Sequence, residues 1–277
     1  MTNLELAAVT GSGALAAGLL GALTGLGGGI VIVPLLALGC GVDLHYAIGA
    51  SLVAVIATSS GAAAAYVREG FTNVRIGMVL EIATALGALT AAFAAVLVPT
   101  SAIAILFGLV LLYSAYLSLH PPRHAPAGPS DPLAARLRLA SSYPGPDGPE
   151  HYEVRRVAAG FGLMTVAGAL SGLLGIGSGA VKVLAMDHVM GLPFKVSTTT
   201  SNFMIGVTAA ASAGVYLHRG YIDPGLTLPV MLGVLAGASF GARILPIVGT
   251  RALRFVFTGV VVVLAVEMLY RGFTGRL

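Results

Sequence analysis

The chain has 277 residues, 57% of them hydrophobic and 9% charged, with a formal net charge of +4 and a mean hydropathy of +0.93. Soluble domains use roughly a quarter charged residues, so this composition excludes an ordinary soluble protein and points to one embedded in a lipid bilayer. A single cysteine, Cys40, excludes an intramolecular disulfide framework, and no basic run suggests a nucleic-acid partner.

Segments almost free of charge recur at about 4–24, 44–67, 74–97, 101–119, 155–174, 196–217, 225–242 and 252–269. Most are near the roughly 20 residues that a bilayer-spanning helix requires. Strand alternation is absent and Ala, Gly, Leu and Val dominate, so the expectation is an all-α integral membrane protein with about eight transmembrane helices. The opening MTNLELAAV carries Glu5 and no basic residue, which argues for a retained first span over a cleaved signal segment.

Residues 120–152 are Pro-rich and polar, too poor in apolar side chains to fold independently, and read as a linker between a first membrane repeat, 1–119, and a second, 153–277. Within it, LAARLRLA has the composition of a short surface helix. The two halves correspond at a constant offset of 150 residues. GLGGGIVIV at 25–33 aligns with GIGSGAVKV at 175–183, Ser51 with Ser201, Thr58 with Thr208, YVREGF at 66–71 with YLHRGY at 216–221, and Gly87 with Gly237.

Each half also holds a short apolar segment after its glycine cluster, 30–40 and 180–191. A helix of a dozen residues reaches about 18 Å, short of a hydrocarbon core about 30 Å thick, so both are expected to be glycine-broken re-entrant helices. Arg68 and Arg75 flank one loop, Arg123, Arg136, Arg138, Arg155 and Arg156 belong to the linker region, and Arg271 and Arg276 lie near the C-terminus, whereas LVPTS at 97–101 is uncharged. Four crossings per half place all three basic regions inside, giving two parallel repeats of four with linker and C-terminus cytoplasmic. Arg243 and Arg251 run against this arrangement, and counting five crossings per half gives inverted repeats instead.

These residues carry a resemblance. Two halves that each open with a G-x-G-G-G-like break and place Ser and Thr early in the next long helix resemble the TauE/SafE family of sulfite and organosulfonate exporters. The similarity covers about 4–119 and 153–271, through GLGGGIVIVP at 25–34, TTTSN at 198–202 and HRGYID at 218–223. The second glycine signature departs from the family pattern at Ser178 and Leu184, where glycine and proline are usual. The resemblance implies transport of small sulfur-containing anions across a bacterial cytoplasmic membrane, with export favoured.

The residues themselves suggest how an anion is held. Unwound backbone persists at membrane depth only where it is buried in protein or lines a cavity. A short helix beginning there offers unpaired N–H groups and the positive end of its dipole. Gly27, Gly28 and Gly29 in the first half and Gly177, Ser178 and Gly179 in the second are therefore candidate anion ligands, the two helix ends facing one another. Lys182 falls in the first turn of the second short helix, where an anionic substrate would offset its charge; snorkelling or a structural carboxylate partner is the competing reading. Ser51, Thr200, Ser201 and Asn202 offer hydroxyl and amide donors, against a role in capping or interhelical bonding. Glu81 is a candidate for proton coupling, with Arg75 as a partner, and so are Asp187 and His188, although these two approach the far end of their segment. Close packing accounts for Gly87, Gly162 and Gly237, an interfacial pair for Glu267 and Arg271, and interface anchoring for Tyr66 and Tyr216.

A secondary transporter is the leading expectation, with a passive anion channel and an uptake carrier for another organic anion as alternatives. A serine hydrolase built on Ser178 with His188 or His218 is the remote one, since I-G-S-G at 176–179 lacks the first glycine of a nucleophile elbow. No metal spacing, cofactor fingerprint or nucleotide loop is present in the sequence, and self-association is left open.

Overall fold

The computed structural model describes residues 3–24, 28–68, 70–119, 131–145, 148–244 and 250–275. The architecture is all-α. Each half opens with a long helix, α1 (Asn3–Thr24) or α7 (Val157–Leu174). A short helix follows, α2 (Gly29–Pro34) or α8 (Gly179–Leu184), and runs on into a π-helical turn, Leu35–Gly39 or Ala185–Val189. Three long helices complete each half: α3 (Leu44–Arg68), α4 (Val74–Ala94) and α5 (Thr100–Leu119), then α9 (Phe194–His218), α10 (Pro224–Ile244) and α11 (Thr250–Thr274). Between the halves lie a short helix, α6 (Pro132–Arg136), and an antiparallel hairpin of β1 (Ser141–Gly145) and β2 (Gly148–Tyr152).

Local chemistry explains the boundaries. Asn73 caps α4 by accepting from the Ile76 N–H at 3.0 Å. Asp131 caps α6 through Leu133 and also accepts from the Val157 N–H at 2.8 Å, which ties the start of α7 to the linker. Gly70 and Gly220, both at φ +76°, turn the chain after α3 and after α9 in a conformation that a β-carbon disfavours. Pro34 lacks the N–H that a helix ladder needs, yet Leu184 occupies the equivalent place and the π turn still forms, so proline does not cause it.

The 150-residue offset reappears as paired contacts. A β-carbon on Gly18 would overlap the Val234 carbonyl oxygen, and one on Gly168 the Thr84 carbonyl; Gly87 meets Thr165 as Gly237 meets Leu15. Each pair maps onto the other when 150 is added to one residue and subtracted from its partner. These are backbone-to-backbone approaches that only small residues permit. Gly162 differs from the expectation, because nothing lies within 4 Å of its β-position.

Helix directions follow from the same contacts. Gly49, near the start of α3, meets Tyr221, just beyond the end of α9, and His45 stacks on Tyr221 with centroids 5.1 Å apart. At the other end of the pair the Asn73 N–H, beyond α3, donates to Thr200 Oγ1, near the start of α9, at 3.1 Å. So α3 and α9 are antiparallel, and α5 and α11 are too, since Gly272 packs on Ser101 and Ile105. The short helices fold back along the helices before them: Gly13 meets Leu35, Gly160 meets Met190, and the Arg155 N–H donates to the Met190 carbonyl at 2.9 Å. Each opening pair thus returns to the end of the bundle where it began.

This corrects the expected parallel repeats of four. The opening pair ends where it began, the three helices after it run the length of the bundle an odd number of times, and the two halves therefore run in opposite directions, related by a pseudo-two-fold axis. It also separates the linker from the C-terminus. The linker packs at the end of the bundle where α4 and α9 begin, and α11 ends at the opposite one.

Eight helices among the described residues are 18–25 residues long. Among the described residues, Val74–Leu97 and Val157–Leu174 are apolar enough over at least 18 residues to cross a membrane, with mean hydropathies of 1.9 and 1.8, and the remaining apolar stretches are shorter. Large apolar side chains point outward in matching places, Met78, Ile82 and Leu86 on α4 and Leu228 and Leu232 on α10, a pattern suited to lipid contact. The linker is not free of the bundle. Ala134, Leu139 and Val154 are buried with Ile76, Leu80, Met186 and Met190. Asn73 Nδ2 reinforces this by donating to the Leu139 carbonyl at 2.9 Å and to the Tyr152 hydroxyl at 2.8 Å.

Inverted halves make a labelling prediction. With Cys40 replaced by Ala, Ser141→Cys and Thr274→Cys should react with an impermeant maleimide from opposite faces of sealed membrane vesicles. Reaction of both from one face would restore the parallel arrangement.

Candidate functional site

The two glycine breaks meet halfway along α3 and α9. A β-carbon on Gly29 would lie 2.9 Å from the Gly175 carbonyl oxygen and 3.0 Å from Ser51 Oγ, and one on Gly177 would meet Ile205 and Val55, which sit at the midpoints of their helices. Ser51 Oγ donates to the Gly175 carbonyl at 2.8 Å, and Ser201 Oγ to the Gly179 carbonyl at 3.2 Å. Sequence-predicted residues from both halves therefore gather here: Gly28, Gly29 and Ser51 from the first, Gly177, Ser178, Gly179 and Ser201 from the second. Gly27 lies outside the described residues.

Neither serine caps its helix, since each stands about two turns inside it. Ser51 instead holds the carbonyl of Gly175, where α7 ends and leaves it without an intrahelical partner, while Ser201 adds a bond to the Gly179 carbonyl in the first turn of α8. Ser178 takes the left-handed conformation, φ +48°, at the N-terminus of α8, where a side chain other than glycine costs about 1–2 kcal/mol. Its hydroxyl is buried without a hydrogen-bond partner, as is that of Ser171 one turn before the break. Such groups are uncommon in folded proteins because their desolvation is uncompensated.

One turn further on, Lys182 is fully buried, with 0% exposure. Its Nζ donates to Thr208 Oγ1 at 2.5 Å, and that hydroxyl donates to Glu81 Oε1 at 2.7 Å. A hydroxyl with one proton and two lone pairs can serve both neighbours at once. The threonine thus bridges a cation from α8 to a carboxylate from α4, with Thr84 Oγ1 a further 3.4 Å from Thr208 Oγ1. The second carboxylate oxygen, Glu81 Oε2, is buried without a hydrogen-bond partner. Among the described residues, Glu81, Lys182 and Asp187 are the buried residues of the Asp, Glu, Lys and Arg types.

The pair is physically required. An ammonium at the bilayer centre costs about 3 kcal/mol on insertion scales, and a nearby carboxylate offsets much of that where water is excluded. The pseudo-symmetric positions are Ile32, Thr58 and Met231, so the fold supplies two equivalent locations and charges only one.

Other candidates stand apart. Thr200 accepts from the Asn73 backbone and so helps fix the start of α4. Asn202 is buried, Asp187 is buried within the π turn, and His188 beside it is exposed. Arg75 is not the partner of Glu81; it is exposed and donates to the Arg138 carbonyl at 2.8 Å. Tyr216 is 2% exposed and donates to the Gly172 carbonyl at 3.1 Å, so it is a core residue and no interface anchor. The Tyr66 side chain lies outside the described residues. Glu267 and Arg271 pair at 2.9 Å as expected.

Sequence reasoning missed Thr208 and Thr84. Thr208 had been matched to Thr58 by the repeat alone, whereas two opposite charges deep in apolar helices were the signal that could have joined Glu81 to Lys182.

Comparisons with known proteins cover almost the whole chain. The sequence model of the family described as sulfite exporter TauE/SafE matches residues 11–268. The probable membrane transporter protein YunE of Bacillus subtilis (strain 168) is 27% identical over 265 residues, 93% of this chain and 95% of that protein. A probable membrane transporter protein of Xylella fastidiosa (strain 9a5c) is 26% identical over 98% of this chain and 97% of its own. YdhB of Bacillus subtilis, also named a probable membrane transporter protein, is 27% identical over 79% and 82%. No solved structure matches the chain.

The bridged pair predicts coupled stabilities. Glu81→Leu or Lys182→Met alone should destabilise the purified protein by about 3–5 kcal/mol, the scale for orphaning one partner of a buried pair, while the double variant regains most of the loss. Thermal unfolding in detergent measures this, and simple additivity of the two losses would show that the groups do not interact.

Proposed function

The chain belongs to the sulfite exporter TauE/SafE family and is a membrane transporter; on that footing we propose that it is a secondary carrier exporting small sulfur-containing anions such as sulfite or an organosulfonate. The observation that carries the reading is the meeting of two glycine-broken helices at mid-bundle, with the buried cation of Lys182 one turn beyond the break. Small oxyanions suit backbone N–H groups and hydroxyls that replace hydration without fixing a permanent countercharge. The proposed ligands are the backbone around Gly28, Gly29, Gly177 and Gly179, the hydroxyls of Ser51, Ser178 and Ser201, and Lys182.

Lys182 is closed off from solvent in this conformation. That closure favours a carrier over an open anion channel, because helices must part before an anion reaches the ammonium. The inverted halves provide such a movement in many carriers, one half rocking against the other around a central site.

Orientation follows from charge. The end of the bundle that holds the linker carries Arg75, Arg136, Arg138, Arg155, Arg156 and Lys195, and the helix ends bearing Arg68, Arg243, Arg251 and Arg254 belong to the same end. Arg219 and Arg271 lie at the other. We read the basic end as cytoplasmic, in the inner membrane of a bacterium, which keeps the linker inside and moves the C-terminus outside. In this arrangement Arg243 and Arg251, which opposed the parallel topology, fall on the expected side.

Flux of labelled sulfite, thiosulfate, sulfoacetate and isethionate in proteoliposomes tests the proposal. At least one should move saturably, and Lys182→Gln, which keeps a donor for Thr208 and removes the charge, should abolish that movement with the protein still folded. Absence of flux for all four would overturn the cargo, and flux that never saturates would favour the channel.

A further inference from the structure

The charge of the closed site constrains what travels with the anion. With the site empty, Glu81 and Lys182 sum to zero. An arriving monoanion would leave a net negative charge among apolar helices, a state that buried sites avoid by changing protonation. Glu81 has the geometry for that change, because Thr208 occupies Oε1 while Oε2 is buried without a hydrogen-bond partner.

Building on the transport reading above, we propose that Glu81 takes up one proton whenever an anion engages Lys182, so that the protein carries one proton with each monoanion. The step balances in atoms and charge. A proton from water on the entry side forms the Oε2–H bond of a neutral Glu81. Lys182 turns its ammonium from Thr208 to the anion, and the Thr208 hydroxyl retains the Met204 carbonyl, 3.0 Å away, as an acceptor. On the exit side the anion leaves, the carboxyl proton returns to water, and the bridged pair re-forms. No charge crosses in the loaded state beyond that of the neutral pair.

The surroundings leave Glu81 as the group that titrates. Lys182 is the cation facing it, with Thr84 on its own helix and Thr208 on α9. Arg75 is the other ionisable side chain of α4 and is turned to Arg138. The α7 helix has no ionisable side chain along its length, and those of α9, Lys195, Tyr216 and His218, lie near its ends. The α8 segment adds Asp187 and His188, five and six residues beyond Lys182 in the π turn. Met231 stands at the position equivalent to Glu81, and Ile32 at that of Lys182. One proton per cycle follows, because one half of the pseudo-symmetric pair of sites is apolar.

Isethionate is a suitable probe, since its single sulfonate charge does not titrate near neutrality. Proteoliposomes of phosphatidylethanolamine and phosphatidylglycerol, loaded with a pH-sensitive dye, report proton and labelled isethionate movement together. Wild-type protein should move them one to one and accumulate isethionate against its gradient when a pH difference is imposed. Glu81→Gln, a permanently neutral mimic, should keep isethionate exchange across the membrane and lose the pH-driven accumulation. Thr208 is a positioning residue, so Thr208→Val should displace the pH profile of flux and Thr208→Ser should restore it. Isethionate flux without proton movement, or accumulation that survives Glu81→Gln, overturns the coupling and leaves the transport reading intact. Absence of wild-type isethionate flux defeats the sulfonate cargo and the coupling together.

Discussion

An ammonium group in the middle of an apolar bundle must be compensated, and Lys182 is compensated from the other half of the chain. Its contact with Glu81 through Thr208 joins α8, α9 and α4 at one point. A carboxylate on α8 itself would have neutralised the charge without tying the halves together. The same closeness that makes the bridge possible needs a helix bundle with backbones in near contact, which the small residues at Gly18, Gly87, Gly168 and Gly237 supply. Packing, in this protein, is the precondition for electrostatics.

Symmetry and asymmetry have separate tasks. Inversion of the halves brings both glycine breaks to the same height, where Ser51 and Ser201 both bond carbonyls of the second break. The scaffold could present two equivalent ligand positions. Chemistry is then confined to one side, where Ile32 and Met231 are replaced by Lys182 and Glu81. An occluded site with a single ion pair suits a transporter better than two would, because a second pair would hold a second ligand that also had to be released.

Features encoded within short stretches were legible in the sequence. The glycine clusters, the short helices after them, the serines at 51 and 201, and the offset of 150 can be read without knowing what packs on what. Helix direction was not, because a short apolar segment does not state whether it crosses or returns; contacts such as Gly160 with Met190 decide that. Counting basic residues then favoured a parallel topology by grouping Arg271 with the linker arginines, although the two lie at opposite ends. Tyr216 was misread for a related reason. An aromatic near a helix end usually marks the lipid interface, but its hydroxyl finds the Gly172 carbonyl and the ring is buried. Thr208 looked like any mid-helix threonine, and only the approach of α4 to α9 gives it two charged neighbours.

The placement of Glu81 and Lys182 in different halves, at positions that are not equivalent, bears on whether either half could stand alone. A homodimer of the second half alone would bury two ammonium groups with no Glu81 carboxylate beside them, and a homodimer of the first would bury two carboxylates without the cation of Lys182. Neither could satisfy its own interior. Each half therefore depends on the other for a compensated interior, and the two fold as one polypeptide rather than as exchangeable copies.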